Sequence, residues 1–215
     1  YAMKNLGLGD KLLHHERLKK AVEWLAKIST PPDPRFKGLR HSPPIGNTWL
    51  YETSCLYGYM AQVWRERDPA YANAMRWMWE QQGNPTWPGI GGAYPTTDGF
   101  REALLPTFPA VGPPKWGSEE FPGSGVILRA HFPSDRETQL YLIQGHLHDH
   151  YDDDKGSFEL WGKGRPLLCD FGYIGYDPAM HHNRVDINGD GKIAAFATTP
   201  AADFIHNQQG AWDRR

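Results

Sequence analysis

Apolar residues recur every three to four positions early in the chain and every second position late in it, so helices are expected to precede strands. Over residues 10–28, Leu13, Leu18, Val22, Leu25 and Ile28 fall on one stripe, with Lys19, Lys20 and Glu23 mostly off it. That spacing predicts a single amphipathic helix with Asp10 as its N-cap. A Pro-rich connection follows over residues 29–46. Asn47 or Thr48 is then placed to cap a second helix through TWLYETSCLYGYMAQVWRER. Asp68-Pro69 breaks it and opens a third, because Asp caps well and Pro suits the first helical position.

Between residues 83 and 123 Gly and Pro recur, which predicts loops and a domain connection with a short helix near Phe100 to Leu105. From Gly125 the period becomes two. VILRAHF and ETQLYLIQG are separated by a polar turn, and SFELWG and PLLCDFG flank Lys163-Gly164-Arg165, a hairpin signal. NRVDI and KIAAFAT around NGDG predict a third hairpin, and ADFIH a further strand. The expected fold is therefore α+β: N-terminal helices over 1–115, then an antiparallel β-sandwich or sheet over 116–215.

Composition narrows the partners. Net charge is -2 with no long basic run, which argues against nucleic acid. No apolar run is long enough to span a membrane. Two cysteines, Cys55 and Cys169, are too few for a disulfide framework. Nine Trp and ten Tyr exceed what a plain core needs, and flat aromatic faces stack on sugar rings. The competing reading is that these rings simply fill a core.

The densest chemistry lies in QGHLHDHYDDDKGSFELWGKGRPLLCDFGY, residues 144–173. His146, His148 and His150 alternate, so an extended backbone presents them on one face. Asp170 sits inside an otherwise apolar run, where a carboxylate needs partners. His182 follows twelve residues later, in HHNRV. Two imidazoles from one strand, an acid from the next and an imidazole from a third would form a compact N/O metal site. A merely solvated His/Asp-rich loop is the bland alternative. Asp186, Asn188 and Asp190 match the opening of a calcium-binding loop, but its twelfth position is Ala197 where an acid is needed, so a hairpin turn is the better reading and calcium the minor one.

The ordered set GVILRAHF, YLIQG, His-x-His-x-Asp, Gly-Ser-Phe, Gly-x-x-Leu-Leu-x-Asp-x-Gly and His-Asn-x-Val resembles the heparinase II/III-like polysaccharide lyases over residues 124–212. YETSCLYGY carries a fainter likeness to that family's Glu-x-Ser-x-x-Tyr segment. The resemblance implies an α/α toroid followed by β-sheet domains, of which this chain would hold the last toroid helices and the first part of the β region, with the remainder of a parent chain as partner. It implies β-elimination on a uronic-acid-containing glycan such as alginate or a glycosaminoglycan, and hence a periplasmic or secreted protein. Carried over residue by residue, Tyr57 becomes the catalytic phenol, with Tyr59 its neighbour, and His148 the reaction-centre imidazole. His150, Asp170 and His182 become ligands of a structural zinc.

Asp153 and Asp154 depart from the family pattern as a two-residue insertion, which leaves His146 with His148 as the other register for the pair. Glu52 is placed to orient Tyr57, and Arg129 or Arg184 to add positive charge near a substrate. Two other classes are carried alongside: a non-catalytic carbohydrate-binding protein of the same fold, and a zinc-dependent hydrolase.

Overall fold

The computed structural model describes residues 6–45, 48–86, 105–143, 156–170, 172 and 182–183. The fold is α+β, with helices followed, among the described residues, by a five-stranded antiparallel sheet. The chain divides into two compact units. One comprises residues 1–42 and 52–116, the other residues 43–51 and 117–215.

The helical unit opens with α1 (Gly9–Leu13) and α2 (Glu16–Ile28). The single helix expected here is broken at His14 and His15. The His15 side chain accepts from the Arg17 amide and caps α2. Asp10 lies inside α1 rather than capping it, and pairs with His14 and Arg67. Val22, Ala26 and Ile28 form the buried stripe of α2.

A 3₁₀ turn, Pro34–Phe36, follows, and Asp33 caps it by accepting from the Arg35 amide at 2.8 Å. Helix α3 (Leu56–Trp64) begins well after the expected start, with Ser54 Oγ accepting from the Leu56 amide. Helix α4 (Pro69–Gln81) has the expected beginning: Asp68 accepts from the Tyr71 amide and Pro69 opens the first turn. Gly58 of α3 lets α4 approach closely, since a Cβ there would stand 3.0 Å from Trp79 Nε1. Lys19 ties α2 to the α4 cap through Asp68 at 2.8 Å and lies over the Trp64 ring.

The sheet is a meander in the order β1 (Glu119–Phe121), β2 (Gly125–Ala130), β3 (Thr138–Ile143), β4 (Phe158–Gly162), β5 (Arg165–Leu168). Strand β1 falls where loops were expected. The β4–β5 turn has Lys163 and Gly164 both at positive φ, 54° and 69°, the geometry a tight two-residue hairpin demands. Cross-strand register sorts the side chains into two faces. Ile127, Tyr141 and Glu159 are in line, as are Arg129, Gln139 and Trp161, and this face is buried. Leu128, Leu140, Leu160 and Leu168 form a row on the other face, and its two ends are exposed at 53% and 40%.

The buried face is thus the charged one. Arg129 lies 3.4 Å from Glu137, both side chains 1% exposed, and donates to Gln139 Oε1 at 2.9 Å. The expected hairpin over 184–198 and the strand after it lie outside the described residues, as does most of the short helix near 100–105. No helix among the described residues is long and apolar enough to cross a membrane.

Candidate functional site

Asp170 and His182 are brought together, and the sheet explains how. Asp170 follows the end of β5 by two residues. Antiparallel pairing sets that end beside the start of β4. There the Phe158 amide donates to the Asn183 carbonyl at 3.0 Å, which fixes the chain next to His182. His182 Nδ1 stands 2.5 Å from Asp170 Oδ2, and the two side chains are 0% and 4% exposed. The other carboxylate oxygen accepts from the Gly172 amide at 3.0 Å. This buried carboxylate therefore has the partners its apolar setting requires.

Gly172 is needed for its own geometry. Its φ is +69°, and a Cβ there would come 2.8 Å from the Leu50 amide nitrogen and 3.1 Å from the Thr48 carbonyl oxygen. A strap of backbone from Thr48 to Leu50 therefore lies directly on the Asp170 turn. Thr48 Oγ1 donates to the Ile45 carbonyl, which stiffens the strap from the other side.

The donor chemistry of the pair suits zinc: a buried carboxylate oxygen and an imidazole nitrogen at one point. Two tetrahedral ligands at ~2.0–2.1 Å from zinc stand about 3.3 Å apart. The observed pair is closer than that, at hydrogen-bonding distance. Among the described residues no group of three or more His, Cys, Asp or Glu side chains is placed to hold a metal. His146, His148 and His150 lie outside the described residues, as do Arg184 and the calcium-loop candidates Asp186, Asn188 and Asp190.

Tyr57 stands on the buried side of α3, 1% exposed. Burial pushes its phenol up to about 12, against the Ser29, Ser42 and Gln82 side chains around the hydroxyl, and the Glu52 charge adds to the rise. Glu52 is itself half-buried and held above the usual carboxylate range by that burial. Tyr59, two residues on, is half-buried and also raised by burial. Arg129 is committed to Glu137 and Gln139 within the sheet. Neither Cys55 nor Cys169 forms a disulfide.

Two groupings escaped the sequence reading. Asp33, Arg35 and His41 form a buried knot inside the Pro-rich connection. Arg129, Glu137, Gln139 and Glu159 form the buried polar face of the sheet. The first had a signal: Asp33-Pro34 is the same cap-then-proline dipeptide as Asp68-Pro69. The second had none, since alternation predicts two faces without saying which is covered.

No protein-family model matches the sequence, and no curated protein matches it either. Among solved structures the chain is similar to two titled heparinase III. One has a TM-score of 0.49 at 20% identity over 75% of this chain, and the other 0.44 at 18% over 77%. A heparan sulfate lyase mutant from Pedobacter heparinus has a TM-score of 0.41 at 19% identity over 73%. The chain spans about a fifth of the length of these structures, 22%, 21% and 19% respectively.

Proposed function

We propose that this chain is part of a polysaccharide lyase that cleaves a uronic-acid-containing glycan by β-elimination, outside the cytoplasm. The observation that supports it is the meeting of Asp170 and His182. The ordered motifs single out these two residues from a long polar stretch, and they lie in contact in a buried pair.

The reaction removes the proton at C5, α to the uronate carboxyl, and expels the glycosidic oxygen at C4. It needs a base at C5, an acid at the leaving oxygen and a group that blunts the carboxylate charge. In this reading His148 is the base or the carboxylate partner, since an imidazole titrates near neutrality. Tyr57 supplies the acid. Its hydroxyl is enclosed beside the Ser29, Ser42 and Gln82 side chains, so in this reading its proton passes through the Ser29 or Ser42 hydroxyl. Otherwise the role passes to the less buried Tyr59. His150, Asp170 and His182 would hold a structural zinc, which when bound would pin together the segments that carry them.

The test is the absorbance of unsaturated uronate when the full-length protein is given heparan sulfate, chondroitin sulfate, hyaluronan or alginate. Product on one of them, abolished by His148→Ala, is the expected result. Tyr57→Phe against Tyr59→Phe identifies the phenol. No product on any of the four removes the lyase reading. The enclosure of Tyr57 favours, as a second reading, a glycan-binding protein without turnover, which would retain a polysaccharide and release nothing.

A further inference from the structure

Among the described tryptophans Trp49 alone is exposed, at 47%. Trp64, Trp77, Trp79 and Trp161 are all 7% exposed or less. Trp49 is also set in an unusual place. It lies between the Thr48 carbonyl and the Leu50 amide, the two backbone groups that rest on Gly172. Gly172 in turn donates to Asp170, and Asp170 pairs with His182. The exposed ring is thus carried by a strap whose backbone passes close to Gly172 on either side of it. Thr48 Oγ1 donates to the Ile45 carbonyl, and the Ile45 amide to the Pro43 carbonyl.

A large aromatic with nearly half its surface in water, carried by backbone that passes close over the buried Asp170 turn, has the make-up of a recognition point. An indole presents a flat apolar face with a polar edge, at a low cost in side-chain freedom. The C–H face of a pyranose is the ligand surface that matches it. We propose that Trp49 is the stacking platform for one sugar ring of a bound glycan, beside the Asp170–His182 pair. This rests on the glycan reading above and adds to it a residue from outside the motif set.

The full-length protein is run by native affinity electrophoresis through gels containing heparan sulfate, chondroitin sulfate, hyaluronan or alginate. Wild type, Trp49→Ala and Trp49→Phe are compared, with circular dichroism as the check on folding. The expected result is retardation of wild type in at least one gel. Trp49→Ala should weaken it about tenfold or more, the order of loss when a central aromatic anchor is truncated. Trp49→Phe, which keeps a ring, should retain part of it even if the alanine variant folds poorly. Equal retardation of all three overturns the role of Trp49 and leaves the glycan reading standing. No retardation of wild type in any gel overturns both. Retardation lost in Trp49→Ala, with no unsaturated product from the full-length protein, keeps Trp49 and removes only the lyase step.

Discussion

Each unit buries a carboxylate against an imidazole, and the two pairs are built to different ends. In the helical unit Asp33 is surrounded. It accepts from the Arg35 amide at 2.8 Å, from Arg35 Nε at 3.1 Å and Nη2 at 2.9 Å, and from His41 Nε2 at 3.1 Å. The other His41 nitrogen, Nδ1, lies 2.8 Å from the Ser42 carbonyl. The backbone closes around the same residue, with the Asp33 amide on Leu39 and the Gly38 amide on Asp33. In the sheet unit Asp170 has two partners among the described residues, Gly172 and His182. A carboxylate offers about four lone-pair positions. Asp33 has used them on its own loop, which makes it a fastening of the fold. Asp170 makes fewer bonds than that among the described residues.

Removing the fastening has the largest expected effect. Asp33→Ala takes the acceptor from the Arg35 amide, the Arg35 guanidinium and the His41 ring at once, and each buried donor so stranded costs about 1–3 kcal/mol. Asp170→Ala in metal-free protein should cost less, about 1–3 kcal/mol, because fewer bonds are lost. Urea denaturation of the two variants checks the order, and a larger loss for Asp170→Ala would reverse the assignment of roles.

Acid sharpens the same contrast. Burial holds His41 below its ordinary 6.5, despite Ser42 and Asp33. The unfolded chain therefore takes up the proton first, so the contribution of His41 is present above pH 6.5 and is lost as pH falls below it. Burial alone would raise Asp33, but its bonds to Arg35 and His41 outweigh this and leave it below 3.8. Its contribution is present above 3.8 and is lost as pH falls through the lower folded value. The urea midpoint should drop in two stages on acidification, and His41→Asn should remove the first.

Alkali tests the other buried group of the helical unit. Tyr57 rises from 10.0 to about 12, chiefly by burial. A raised phenol gives stability that is complete below pH 10 and is lost as pH climbs through 12. The loss is about 2–3 kcal/mol, from ~1.36 kcal/mol per unit. Tyr57→Phe should flatten that alkaline decline in the urea midpoint. An unchanged decline would mean that the hydroxyl is reached by solvent, which would bring Tyr57 back toward direct contact with a substrate.

What could be read from the sequence divides along physical lines. Helix α4 was legible because Asp68-Pro69 is a local signal with a local consequence. Strands β2 to β5 were legible because period two survives whatever covers the sheet. The break between α1 and α2 was not, since His15 caps α2 through its ring, a role for which His is not a favoured residue. Nor was the late start of α3. Residues 48–55 have helix-compatible side chains, but the backbone of Thr48 to Leu50 is held against Gly172, more than a hundred residues away. The meeting of Asp170 with His182 was anticipated in outline, because an acid inside an apolar run needs a partner and an imidazole follows twelve positions on, and the ordered motifs pointed to the same two residues. That the two would bond each other directly had no local signal.

The sheet reverses the usual order of faces, and the smallest prediction bears on that reversal. Ile127 and Leu128 are neighbours on β2 and point to opposite sides. Ile127 is 0% exposed and shares its face with Arg129, Gln139 and Glu159, whereas Leu128 is 53% exposed at the end of a leucine row. Ile127→Val removes one methyl group and should cost about 0.5–1.5 kcal/mol, because the surrounding packing cannot refill the space. Leu128→Ala removes three carbons and should cost under about 1 kcal/mol, since over half of that side chain is already in water. The larger deletion therefore has the equal or smaller effect. A Leu128→Ala loss of several kcal/mol in urea denaturation would show the leucine row to be covered in solution. The charged face would then be an inner layer between two packed surfaces, and not the one buried side of an open sheet.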